Sequence, residues 1–143
     1  MTATDQQVGG KHYQEMAIQP IEFILANNMG FAEGSVIKYV SRWRQKGGVE
    51  DLKKALHFLE FIKESRNQIA DMRQGFRVLK PTITAHKYIE ANAIPEQEAD
   101  IIRWVYFWSH NPNLINVENA VISLQSFVEE TIDAIDLYNN VPA

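Results

Sequence analysis

The sequence predicts an all-α chain made of two related three-helix units packed together, and three observations carry that prediction. Apolar residues recur at spacings of three and four, and no stretch shows a convincing alternation of period two. The stretch from Ile18 to Glu64 aligns without a gap onto Ile83–Glu129 at an offset of 65 residues, with 11 identities in 47 pairs, including Trp43/Trp108, Ala26-Asn27/Ala91-Asn92 and Glu33/Glu98. The matches fall mostly at helix-spaced apolar positions, as a repeated core requires. Pro20, Pro95 and Pro112 stand at the edges of the periodic segments.

The elements follow in order. A short helix starts at Pro20, where the missing N–H is harmless, and runs to about Asn28, with Gly30 as its stop. A second spans about Ala32 to Gln45, with Val36, Ile37, Val40 and Trp43 on one face, and Gly47-Gly48 ends it. A third starts near Glu50, carries Leu52, Ala55, Leu56, Leu59 and Ile62, and reaches toward Met72. The second unit repeats this as roughly Thr84–Asn92, Glu96–His110 and Val117–Tyr138. The chain divides into an N-terminal loop segment (1–17), a first repeat (18–72), a connection (73–82) and a degenerate second repeat (83–143).

Composition narrows the function classes. With 45% hydrophobic and 22% charged residues in 143, the chain is too apolar for disorder, and it lacks the run of ~18 apolar residues that a membrane span needs. The N-terminus has no basic-then-apolar leader, so a cytoplasmic protein is expected, in a bacterium or a phage-infected cell. The absence of cysteine excludes disulfides, thiolate zinc sites and cysteine nucleophiles. The net charge of −4 divides into +3 over residues 1–80 and −7 over residues 81–143. That polarity suggests that the first half meets an anion, while the overall sign and the shortness of the basic stretch argue against nucleic acid.

Lys38, Arg42 and Lys46 share one helical face at i, i+4 and i+8, a stripe of about 12 Å and so roughly the length of a nucleotide with its phosphates. Arg44 flanks it, and Lys53, Lys54 and His57 stand on the next helix, which a Gly-Gly turn would bring alongside. A phosphate clamp and a solvated basic face share this spacing. The second unit separates them somewhat: Lys38 stays basic as Arg103, but Arg42, Arg44 and Lys46 become Phe107, Ser109 and Asn111, and Lys53, Lys54 and His57 become Glu118, Asn119 and Ile122. The core is kept and the cations are lost, as expected if the first unit kept a site. Gly9-Gly10-Lys11-His12-Tyr13 is a second candidate for anion contact, because glycines let a loop approach closely, although it is not a Walker-type loop. A flexible leader anchored by Tyr13 fits it equally.

Arg103–Trp108 reads as apolar nearly all round a helix, which predicts a homo-oligomer with Trp104 or Phe107 in its interface. Glu129, Glu130, Asp133 and Asp136 on one helix, with Glu96, Glu98 and Asp100 on another, raise the alternative of an all-α, metal-dependent nucleotide pyrophosphohydrolase. Glu130-x-x-Asp133 meets that pattern only in part, and solvated acidic faces explain the rest, so no metal ligands are assigned.

Lys11-His12-Tyr13, Ile21-Glu22, Gly34, Ile37-Lys38-Tyr39, Arg42, Lys46 and Asp51-Leu52-Lys53-Lys54-Ala55 together form a pattern over about residues 11–64. In these residues the first unit resembles the small phage domain at the C-terminus of a coliphage nucleotide kinase that lacks a Walker motif. Ser35 stands where that family often has Asn. The resemblance implies phosphoryl transfer from a nucleoside triphosphate to a deoxynucleoside monophosphate, chemistry that depends mostly on positioning and charge neutralisation. It would make Lys38, Arg42 and Lys46 the phosphate clamp and close His12 and Tyr13 over the nucleotide. Asp51 would orient Lys54 or Arg42, with Tyr39 part of the motif and magnesium entering only with the nucleotide. A non-catalytic sponge that sequesters a nucleotide or cyclic-nucleotide messenger of bacterial anti-phage defence needs the same pocket.

Overall fold

Seven α-helices and no strand occur among the residues that the computed structural model describes: 2–6, 13, 15–73, 80–112 and 115–140. They are α1 (Pro20–Ala26), α2 (Phe31–Arg42), α3 (Val49–Glu64), α4 (Arg66–Met72), α5 (Ala85–Asn92), α6 (Glu96–His110) and α7 (Val117–Asn139). The residues at each boundary explain why it lies there. Pro20 opens α1, and the Glu22 carboxylate accepts the Gln19 backbone N–H at 2.7 Å. Thr84 caps α5 by accepting from Lys87 N, and Asn116 caps α7 by accepting from Glu118 N.

Three boundaries differ from the expectation. α1 stops because Asn28 turns left-handed (φ 47°), with Asn28 N on Leu25 O and Met29 N on Ile24 O; Gly30 instead precedes α2. α2 ends at Arg42 rather than Gln45, and residues 43–48 form a turn closed by Gly48 N on Trp43 O at 2.8 Å. The long third helix breaks at Ser65 into α3 and α4.

The core is one cluster in which α2 packs on α3 and on α6, α3 on α7, and α6 on α7. Val36, Ile37 and Val40 of α2 meet Leu52, Ala55, Leu59 and Ile62 of α3, and Ile102, Val105, Trp108 and Leu124 complete it, all essentially excluded from water. Phe23 stacks on Tyr88, joining α1 to α5 across the two units. Two asparagines tie the units together in matching ways. Asn92 donates to Ile18 O and Asn27 donates to Ile83 O, each at 2.9 Å.

The chain itself covers much of the apolar surface of α6. Ile101, Ile102, Val105 and Trp108 are buried, while Trp104 stacks on Trp108 and donates its Nε1–H to Asn116 O. Phe107 remains exposed.

Candidate functional site

Tyr39 lies on the outer side of α2, and three cations gather on its ring. The Arg42 guanidinium lies 4.9 Å from the ring centroid, Lys38 Nζ 5.2 Å and Lys54 Nζ 5.5 Å. The α2–α3 hairpin makes this possible: Lys38 and Arg42 are one turn apart on α2, and Lys54 reaches across from α3. Each such contact is worth about 0.5–1 kcal/mol at an exposed site, which partly offsets the mutual repulsion of the cations.

One carboxylate balances the group. Asp51, buried at the start of α3, receives Arg42 Nε on Oδ2 at 2.9 Å and Arg42 Nη2 on Oδ1 at 3.2 Å. A Cβ at position 47 would overlap this carboxylate at 2.0–2.1 Å, so only glycine leaves it room there. Gly48 then adopts φ 59°, which favours glycine. The Gly-Gly pair therefore does more than end α2, for it seats the anion that aims Arg42. Arg42 Nη1 also reaches the Tyr13 hydroxyl at 3.5 Å, and burial raises the Tyr13 pKa. Among the described residues, Lys38 and Lys54 have no ion-pair partner, which leaves two positive charges uncompensated.

The sequence-derived candidates thus separate. Tyr13, Lys38, Tyr39, Arg42, Asp51 and Lys54 come together. Lys46 does not share an α-helical face with Lys38 and Arg42, because α2 ends before it, and it is exposed in the turn. Lys11 and His12, with Gly9 and Gly10, lie outside the described residues.

Beside Lys38, a recess of about 300 Å³ is lined by Met29, Phe31, Tyr39 and Phe58. A larger recess of about 470 Å³ lies between the units, where Arg44 pairs with buried Glu98. Arg44 Nε donates to Glu98 Oε2 at 2.6 Å and Nη2 to Oε1 at 3.2 Å, with the guanidinium over the Trp43 ring. Neither the aromatic recess nor the Arg44–Glu98 link was anticipated. Phe31 and Phe58 read as ordinary apolar helix positions, and a pairing across 54 residues leaves no local signal.

The carboxylates singled out as metal candidates are dispersed. Glu98 is taken by Arg44, Glu96 and Asp100 pair with Arg103, and Glu130 accepts from Gln97. Among the described residues, no group of three or more His, Asp or Glu is placed to hold a metal ion. No helix among them is long and apolar enough to cross a membrane.

Fold and site together define an all-α chain with a cation-rich surface cluster in its first unit. Residues 8–60 match the model of a family described as a protein of unknown function (DUF3310), over less than half of the chain. That match spans Tyr13, α1, α2 and most of α3, and hence the whole cluster. No curated protein and no solved structure matches the chain.

Proposed function

We propose that this chain binds a phosphate-bearing nucleotide on the cations around Tyr39, and that its second unit is a copy of the first that kept the core and lost the site. The observation that carries the binding reading is charge: three cations face one ring with a single carboxylate among them. An anion with several oxygens would relieve that excess, and Arg42, pre-aimed by Asp51, offers the planar donor set that suits phosphate.

The duplication reading is supported by features that recur at the 65-residue offset. Asn28 and Ala93 are the two non-glycine residues of positive φ among the described residues. The Asn27–Ile83 and Asn92–Ile18 hydrogen bonds exchange with one another under that offset. The site positions change instead: Asp51 corresponds to Asn116 and Lys54 to Asn119, and Arg103, matching Lys38, is neutralised by Glu96 and Asp100.

Both oxygens of Asp51 accept hydrogen bonds from Arg42, which gives this carboxylate a positioning role. Capture of a nucleotide needs only this cation cluster, whereas phosphoryl transfer rests on the resemblance alone. Calorimetry with ATP, dTTP and inorganic tripolyphosphate tests the reading. Lys54 is exposed, so Lys54→Gln should preserve the fold and weaken binding about 10-fold, the low end for a hydrogen bond to a charged group. Arg103→Gln should leave affinity unchanged. Equal affinity of Lys54→Gln and wild type would identify the cluster as a solvated basic face. Recovery of labelled nucleotide intact separates capture from catalysis.

A further inference from the structure

We infer that the recess beside Lys38 is the slot for the base of that nucleotide, with Phe31 as its outer wall. This rests on the nucleotide-binding reading and adds where the ligand's aromatic part goes. Phe31, the first residue of α2, is 82% exposed, although an isolated side chain of this size gains by burial. It stands edge-on to Phe58 at 5.6 Å and 77°, and Phe58 lies nearly parallel to Tyr39 at 6.2 Å and 15°. Tyr39 therefore joins the aromatic group to the cation cluster.

The dimensions suit one nucleotide. Phe31 and Lys38 are seven residues apart on one helix, a rise of roughly 10 Å, comparable to the span from a base to its outer phosphates. Lys38 and Tyr39 line the recess of about 300 Å³ together with Phe31 and Phe58, so a base against the two phenylalanines would place its phosphates near Lys38, Arg42 and Lys54. The recess on the other side of Lys38, bounded by Tyr13, Pro20 and Ile24, holds only about 130 Å³. Stacking on aromatic rings tolerates any base, so the slot recognises a nucleotide as a class.

The test compares Phe31→Ala with wild type, using ATP, GTP, CTP, dTTP and inorganic tripolyphosphate as probes in calorimetry. Phe31 is exposed, so its truncation leaves the core intact, which circular dichroism and light scattering verify. Wild type should bind at least one nucleoside triphosphate more tightly than tripolyphosphate. Phe31→Ala should weaken that nucleotide at least 5-fold, the low end of one base–aromatic stack, and leave tripolyphosphate within 2-fold. Equal binding of nucleotides and tripolyphosphate, or no loss in Phe31→Ala, would overturn the slot while leaving the phosphate site standing. Failure of every probe to bind would remove the underlying reading, and the slot with it. A fall in solution mass on Phe31→Ala would instead show that this face covers a second copy of the chain.

Discussion

The two arginine–carboxylate pairs share a geometry and differ in exposure, so they should differ in energy. Arg42–Asp51 has 13% and 2% of its side chains exposed, and Arg44–Glu98 has 47% and 2%. Truncating Arg42 strands a carboxylate that water barely reaches, and breaking a buried pair in this way costs about 3–5 kcal/mol. Truncating Arg44 opens a side of Glu98 that the half-exposed arginine had covered, so water replaces part of the lost interaction. A cost of about 1–2 kcal/mol follows, between the exposed and buried limits. For a chain of this size 3 kcal/mol is roughly a 10 °C fall in Tm. Urea unfolding of the four single variants Arg42→Ala, Asp51→Ala, Arg44→Ala and Glu98→Ala and of the double variants Arg42→Ala/Asp51→Ala and Arg44→Ala/Glu98→Ala gives both coupling energies. The Arg42–Asp51 coupling should be about twice the other or more. Equal couplings, or an Arg44→Ala cost matching that of Arg42→Ala, would refute the claim that solvent access sets these energies.

Two further outcomes follow from the backbone and from a partly buried histidine. Ala93 holds φ 50° at the end of α5, a conformation that costs a residue with a Cβ about 1 kcal/mol, so Ala93→Gly should raise Tm by roughly 3 °C in a thermal melt. His110 Nε2 lies 3.0 Å from Asn27 Oδ1, and both Asn27 N–H groups are spent on Phe23 O and Ile83 O, so the neutral ring donates from Nε2. Burial, then the Arg73 charge, lower the His110 pKa below its ordinary 6.5; the unfolded chain therefore takes up the proton first, and stability present above pH ~6.5 is lost as pH falls through the folded value. Replacing His110 with Gln should flatten the loss of stability between pH 7 and 5, and an unchanged slope would assign that loss to other groups.

Much of the helix layout was legible because periodicity reports burial, and burial is what these helices share. Val36, Ile37 and Val40 mark the inner face of α2 in the sequence as plainly as in the structure. The ends were less legible. Asn28 stops α1 through a left-handed turn that the neighbouring Gly30 masks, and Trp43 leaves the helix although its spacing continues the apolar face. The convergence of Lys38, Arg42 and Lys54 follows from a hairpin that the Gly-Gly turn announces, whereas Lys46 was misplaced by extending α2 one turn too far. The cover over α6 was hidden because it depends on α2 and α7 closing on it, and no local pattern states which face another segment will meet.

On the proposed duplication, the two halves of the chain differ at the positions around Tyr39. Tyr39 packs against the core, but repulsion among Lys38, Arg42 and Lys54 around it works against the folded state. Sixty-five residues after Lys38 and Asp51, Arg103 lies between two carboxylates, and Asn116 turns its side chain to capping α7. Phe107, 65 residues after Arg42, is half exposed. On the proposed reading, the lysine charge around Tyr39, beside an arginine aimed by a buried carboxylate, is what an anion arriving from solution would relieve.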